Sequence, residues 1–139
     1  MNQIQSMLQT HPAPITQSAM AALAECIEAC FVCGQVCTAC ADACLAEEMV
    51  IDLRACIRTD LDCADICMTT GRILARQTQS DWRLVQGQLQ ACATACQLCA
   101  TECEKHANQH EHCRLCAEAC RHCETMCIRL LQSVPARQR

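Results

Sequence analysis

Residues 26–44 read CIEACFVCGQVCTACADAC, with cysteine at positions 26, 30, 33, 37, 40 and 44, so that intervals of four and three alternate. Each residue of an α-helix advances the chain by about 100°, so these six side chains fall within an arc of ~80°. The spacing predicts one long helix with an unbroken stripe of thiols along one face. A strand would need apolar residues alternating with period two, which this stretch lacks.

The same register recurs further along. Cys92, Cys96, Cys99 and Cys103 form one stripe, and Cys113, Cys116, Cys120, Cys123 and Cys127 form another. Cys56, Cys63 and Cys67 make a sparser one between them. Weak breaks at EEMV (47–50), QTQSD (77–81) and HANQH (106–110) divide the chain into helical segments near 15–47, 50–77, 81–107 and 109–133. Ser80 is the expected N-cap of the third long helix, with Asp81 in its first turn. Asn108 and Glu111 have the spacing of a capping pair for the fourth.

Ahead of these, residues 1 to 10 suit a short amphipathic helix, and HPAP at 11–14 interrupts it because Pro12 and Pro14 cannot continue a helical ladder. Short connections make successive helices antiparallel. The expectation is an all-α protein, an antiparallel up-down-up-down four-helix bundle with a short N-terminal helix and cysteines lining the core. Residues 1–13 form the helix and linker, 14–134 the bundle and 135–139 a tail.

Composition agrees that sulfur fills the middle. Cysteine supplies 18 of 139 residues, whereas aromatics amount to one Trp, one Phe and no Tyr. A net charge of -4 offers no basic patch for nucleic acid, and no run of about 18 apolar residues is evident for a membrane span. The start, MNQIQSMLQTHPAP, has neither the basic nor the apolar region of a secretory leader, so a cytoplasmic location is expected. Thiols stay reduced there, which favours metal binding or redox chemistry over structural disulfides.

Cysteine often serves singly as a small core hydrophobe. In register along four helices it would bury less apolar area than leucine and expose the protein to oxidation, so a ligand role is the stronger reading. Residues at i and i+4 have Cβ atoms about 5–6 Å apart, close enough for two thiolates to converge on one soft ion. CxxxC pairs occur at 26/30, 33/37, 40/44, 63/67, 92/96, 99/103, 116/120 and 123/127. Thiolate selects Cu(I), Zn(II) or iron–sulfur clusters, and the C-x2-C-x2-C run of many clusters is absent. Buried thiolates need matching positive charge. One Cu(I) per cysteine would leave the core neutral, about 18 ions in all, whereas one zinc per four thiolates would leave each site near -2. Zinc or cadmium sequestration, and a thiol-redox response through CxxxC disulfides, remain as alternatives. Nothing resembles a nucleophile–base pair or a phosphate loop, so no enzyme is expected.

The two ends of the stripes differ. Towards the 47–50 and 105–111 connections, His106 and His110 continue the register beyond Cys103, and Met49, Asp52 and Asp60 share the face of Cys56, Cys63 and Cys67. Imidazole, thioether and carboxylate release a soft ion more readily than thiolate, so metal is expected to enter and leave here. For His106, His110 and His112 a solvated connection and a ligand role stand side by side, and for Asp60 a ligand and a hydrogen-bonded buried acid do. At the other end Ile15, Ala19, Ala22, Leu74, Val85, Leu89, Leu131 and Val134 form an apolar plug. His11 and His122 lie off the stripes and are read as surface residues, and Met20, Met68 and Met126 as packing residues.

From about residue 14 to 133, the repeated CxxxC pairs and the histidine-bearing connection before the last helix resemble the bacterial copper storage proteins, cytosolic branch. The resemblance implies a four-helix bundle holding many Cu(I) ions on its interior cysteines, associated as a homotetramer. It carries all 18 cysteines over as ligands, with His106, His110, Met49 and Asp60 at the mouth. The partners it implies are copper ions and a copper chaperone or copper-requiring enzyme, with no nucleic acid and no membrane. Ile27, Phe31 and Leu45 face away from the stripe and suggest the association surface.

Overall fold

The computed structural model describes residues 2–13 and 15–133, without the side chains of 17 and 18. Among the described residues it contains five α-helices, one short 3-10 segment and no strand: α1 Gln3–Gln9, α2 Gln17–Leu45, the 3-10 segment Val50–Leu53, α3 Arg54–Ala75, α4 Trp82–Glu104 and α5 Glu111–Ser133. The expected all-α bundle with its short leading helix is the fold observed. In it α2 packs on α3 and α5, and α4 on α3 and α5, so the four long helices stand at the corners of a square with neighbours antiparallel.

Local chemistry sets the helix starts. Asn2 and Gln5 form a capping box on α1, and Thr16 Oγ1 caps α2 by accepting from Ala19 N at 3.3 Å. Two expected caps move. Asp81, not Ser80, caps α4 by accepting from Arg83 N at 2.9 Å, since Asp81 directly precedes the first helical residue, Trp82. α5 begins at Glu111, where His110 O accepts from Cys113 N at 3.1 Å, so Glu111 is the first helical residue and cannot pair with Asn108 as its third.

By length and composition Ala19–Leu45 is apolar enough to cross a membrane, contrary to the sequence expectation. Its apolar character comes from alanine and from the cysteines that α2 turns into the bundle, and half of that window is buried inside this chain.

All 18 cysteines are buried, none more than 1% exposed. The bundle axis is therefore sulfur where an ordinary bundle has leucine. The apolar end is closed by Leu23, Leu74, Val85, Leu89 and Leu130, with Ile15, Ala22, Trp82 and Leu131 half-buried. Ala19 is exposed, at the rim of the cavity it lines with Ile15 and Leu23, and Val134 lies outside the described residues. Met126 is buried and Met20 and Met68 half-buried, as packing residues should be.

The off-stripe apolar residues are not free. Ile27 is 1% exposed and Phe31 half-buried, because α1 lies over them with Ile4, Met7 and Leu8 and because Phe31 reaches Gly71 on α3. Only Leu45 of the three expected surface residues is well exposed.

Candidate metal centre

The stripes meet as a continuous sulfur array. Cys26 Sγ lies 3.9 Å from Cys127 Sγ near the plug, and Cys30 lies 3.8 Å from Cys123. Cys33 and Cys37 approach Cys120 at 3.7 and 3.6 Å, and Cys37 approaches Cys116 at 3.7 Å. On the other side Cys67 meets Cys92 and Cys96 at 3.8 and 3.7 Å, Cys63 meets Cys96 at 3.8 Å, and Cys56 meets Cys103 at 3.5 Å. Even diagonal helices touch through sulfur, with Cys37 4.0 Å from Cys99 and Cys67 4.0 Å from Cys123. From Cys26 to Cys44 the array runs about 27 Å at 1.5 Å per residue.

These thiols are free, and the CxxxC pairs 33/37 and 63/67 stand at 3.8 Å, far beyond the S–S bond length of ~2.05 Å. They converge in quartets whose ligand atoms lie within 4.8 Å of one another, including Cys30, Cys92, Cys123 and Cys127 near the plug and Cys40, Cys44, Cys56 and Cys113 near the mouth. The quartets overlap: Cys33 and Cys63 belong both with Cys67 and Cys96 and with Cys37 and Cys120. A sulfur shared between two quartets would bridge ions if both were filled.

Asp60 sits inside the array with no exposed surface. Its Oδ1 accepts from Cys99 at 3.1 Å, Cys116 at 3.2 Å and Cys103 at 3.5 Å, while Oδ2 is buried without a partner. Burial first, then the nearby charges of Cys116 and Cys99, pushes its carboxyl up to about 12. Cys44 and Cys113 are pushed up as well, chiefly by burial. Cys26 is pulled below the ordinary thiol range by its sulfur neighbours Cys127 and Cys30.

At the mouth, the histidine nearest the thiols is His112. Its Nδ1 lies 3.5 Å from Cys40 Sγ, 3.6 Å from Cys113 Sγ and 4.0 Å from Cys44 Sγ. Burial opposes charge on this ring, but its bonds with Cys40 and Glu47 outweigh that and raise its pKa. The signal was present in the sequence, since His112 lies four residues before Cys116 and so continues the stripe of α5.

His110 stacks on His112 with ring centroids 5.4 Å apart and lies 3.0 Å from Glu47 Oε2 rather than beside a thiol. His106 is half-buried, with Nε2 lacking a hydrogen-bond partner and 3.6 Å from Glu102 Oε1. Met49 is 62% exposed and Asp52 is also exposed, because the chain from 46 to 53 leaves the α-helical register. Leu53, 1% exposed, takes the inward place expected of them. His122 is exposed, whereas His11 is half-buried and tied to Thr78 at 3.3 Å.

Comparison with known proteins adds the family. A family model described as copper storage protein matches residues 19–132. The chain belongs to the copper storage protein family. The copper storage protein Ccsp of Streptomyces lividans, in its form loaded with 10 copper equivalents, is 52% identical and superposes with a TM-score of 0.92 over 94% of this chain and 99% of that one. Apo copper storage protein 3 of Bacillus subtilis is 37% identical, with a TM-score of 0.65 over 77% of this chain and 96% of that one. An uncharacterized cysteine-rich protein of Bacillus subtilis (strain 168), YhjQ, is 40% identical over 89 residues, 64% of this chain and 77% of that protein.

Proposed function

We propose that this protein binds and stores many Cu(I) ions, about one per cysteine, on the thiolates of its core. The overlapping sulfur quartets carry this reading. Zinc prefers four sulfurs to itself in a tetrahedron, whereas Cu(I) accepts two or three and lets each thiolate bridge. An array in which neighbouring quartets share members fits the second habit, and one monovalent ion per thiolate leaves the dry core neutral. The copper-loaded neighbour in Streptomyces lividans, also described as a cytosolic copper storage protein, supports the same cargo and a cytosolic place of work.

The 18 cysteines are the proposed ligands, with Asp60 among them and His106, His110 and His112 at the mouth; Met49, exposed at the rim, has a place only in early capture. No catalysis is proposed, and a copper chaperone or copper-requiring enzyme is the partner class for loading and unloading. A homotetramer is also proposed, supported by Val32, Leu61, Leu98 and Leu115, each about half exposed on a different long helix. Light scattering would test it by giving four chains of 15.3 kDa per particle.

The test of function is an anaerobic titration of the reduced protein with Cu(I), and separately with Zn(II), against a competing chelator. Saturation near 18 Cu(I), with thiols protected and zinc displaced, is expected on one ion per cysteine. Four or five zinc ions that copper fails to displace would overturn the reading.

A further inference from the structure

We infer that Glu47 is the positioning residue of the mouth, holding His110 and His112 so that the bare Nδ1 of His112 faces the thiols of Cys40, Cys44 and Cys113. A single oxygen does this: Glu47 Oε2 accepts from His112 Nε2 at 2.8 Å and lies 3.0 Å from His110 Nδ1. The inference rests on the copper-storage reading and adds to it the residue that sets the geometry of uptake.

An ionised carboxylate can only accept, so the His112 ring must present its Nε2–H to it. A neutral imidazole has one N–H. Neutral His112 is therefore fixed as the Nε2–H form, leaving the lone pair of its Nδ1 pointing at Cys40 Sγ (3.5 Å), Cys113 Sγ (3.6 Å) and Cys44 Sγ (4.0 Å). An incoming Cu(I) ion meets one nitrogen and three sulfurs already converging. The stack of the two rings, 20° from parallel, keeps them from turning separately.

Position makes Glu47 more than a surface charge. It lies in the connection after α2, three residues beyond Cys44, and ties that connection to the histidines carried before and on α5. Its carboxylate is held below the ordinary range, first by the bond from His112. Histidines that ligate metal characteristically donate their other nitrogen to a carboxylate, and losing that partner lowers affinity or rate by about 10–100-fold. Glu48, the next residue, is exposed and bonds neither histidine, which makes it a matched control for charge.

The experiment uses reduced, metal-free protein labelled with 15N-histidine at pH 8, followed by stopped-flow loading with the first equivalent of Cu(I). Wild type should show His112 fixed as the Nε2–H tautomer. Glu47→Ala should release it and slow first-equivalent loading about tenfold or more, with the final copper count unchanged. Glu47→Gln keeps the shape and a weaker acceptor and should fall between, and Glu48→Gln should match wild type. Tautomers unchanged in Glu47→Ala, or loading as fast as wild type, would overturn the assignment. Equal slowing in Glu47→Ala, Glu47→Gln and Glu48→Gln would also overturn it in favour of plain charge attraction. If wild type itself bound few copper ions, the storage reading would fall, while the tautomers of the metal-free protein would still decide whether Glu47 positions the rings.

Discussion

Replacing Asp60 by asparagine should stabilise the metal-free bundle, and the gain should grow with pH. Asp60 is fully buried among thiols, one oxygen has no partner, and its carboxyl is pushed from an ordinary 3.8 up to about 12. The folded chain therefore keeps a proton that the unfolded chain gives up above pH ~4. A raised native-state value means that Asp60 weakens the fold progressively as pH rises from about 4 towards 12, and costs nothing below that window. At pH 7 the cost is set by the gap between 3.8 and 7, about three pH units or ~4 kcal/mol at 1.36 kcal/mol each. How far above 7 the native value lies does not change that figure. Asparagine keeps an acceptor for Cys99 and Cys116 but cannot ionise. Urea unfolding of the reduced apo protein, followed by far-UV circular dichroism from pH 4 to 8, should show the variant pulling ahead by about 1.4 kcal/mol per pH unit. Parallel stability curves would refute the argument, since they would mean that Asp60 is ionised in the empty core.

The remaining predictions concern glycines, protons and the mouth. A Cβ on Gly71 would stand 2.8 Å from the Phe31 ring, so Gly71→Ala should destabilise the apo protein by ~1–3 kcal/mol in thermal unfolding. Gly87 has nothing within 4 Å, and Gly87→Ala should stabilise it by ~0.5–1 kcal/mol. Cu(I) loading at pH 7 should release protons in a pH-stat as the mouth fills, because burial keeps Cys44 and Cys113 protonated in the empty core. His112→Ala should leave the total copper capacity within about one ion of wild type yet slow removal by a chelator, since one imidazole is lost from the exit and no core thiolate is.

What the sequence revealed depended on whether helical register held. Between Cys26 and Cys44, or Cys113 and Cys127, every residue lies inside one uninterrupted helix, and counting by three and four placed each thiol on the axis. Asp60 was legible for the same reason, four residues after Cys56 and three before Cys63. The count failed at the connections. Met49 and Asp52 were carried back from α3 by register, but residues 50–53 form a 3-10 segment with about three residues per turn, which swung Leu53 inward instead. His106 and His110 were carried forward past Glu104, where α4 stops and turns begin, and they reach Glu102 and Glu47 rather than sulfur. His112, back inside a helix, obeyed the rule. Ile27 and Phe31 failed differently: register placed them correctly off the stripe, but exposure depends on what covers a face, and α1 is joined to α2 by a proline-containing linker whose direction no periodicity encodes. The thiols of the core needed only the geometry of single helices. The mouth needed the relative placement of two connections, and Glu47, whose role exists only because the 45–50 and 105–111 segments meet, could not be found from either one alone.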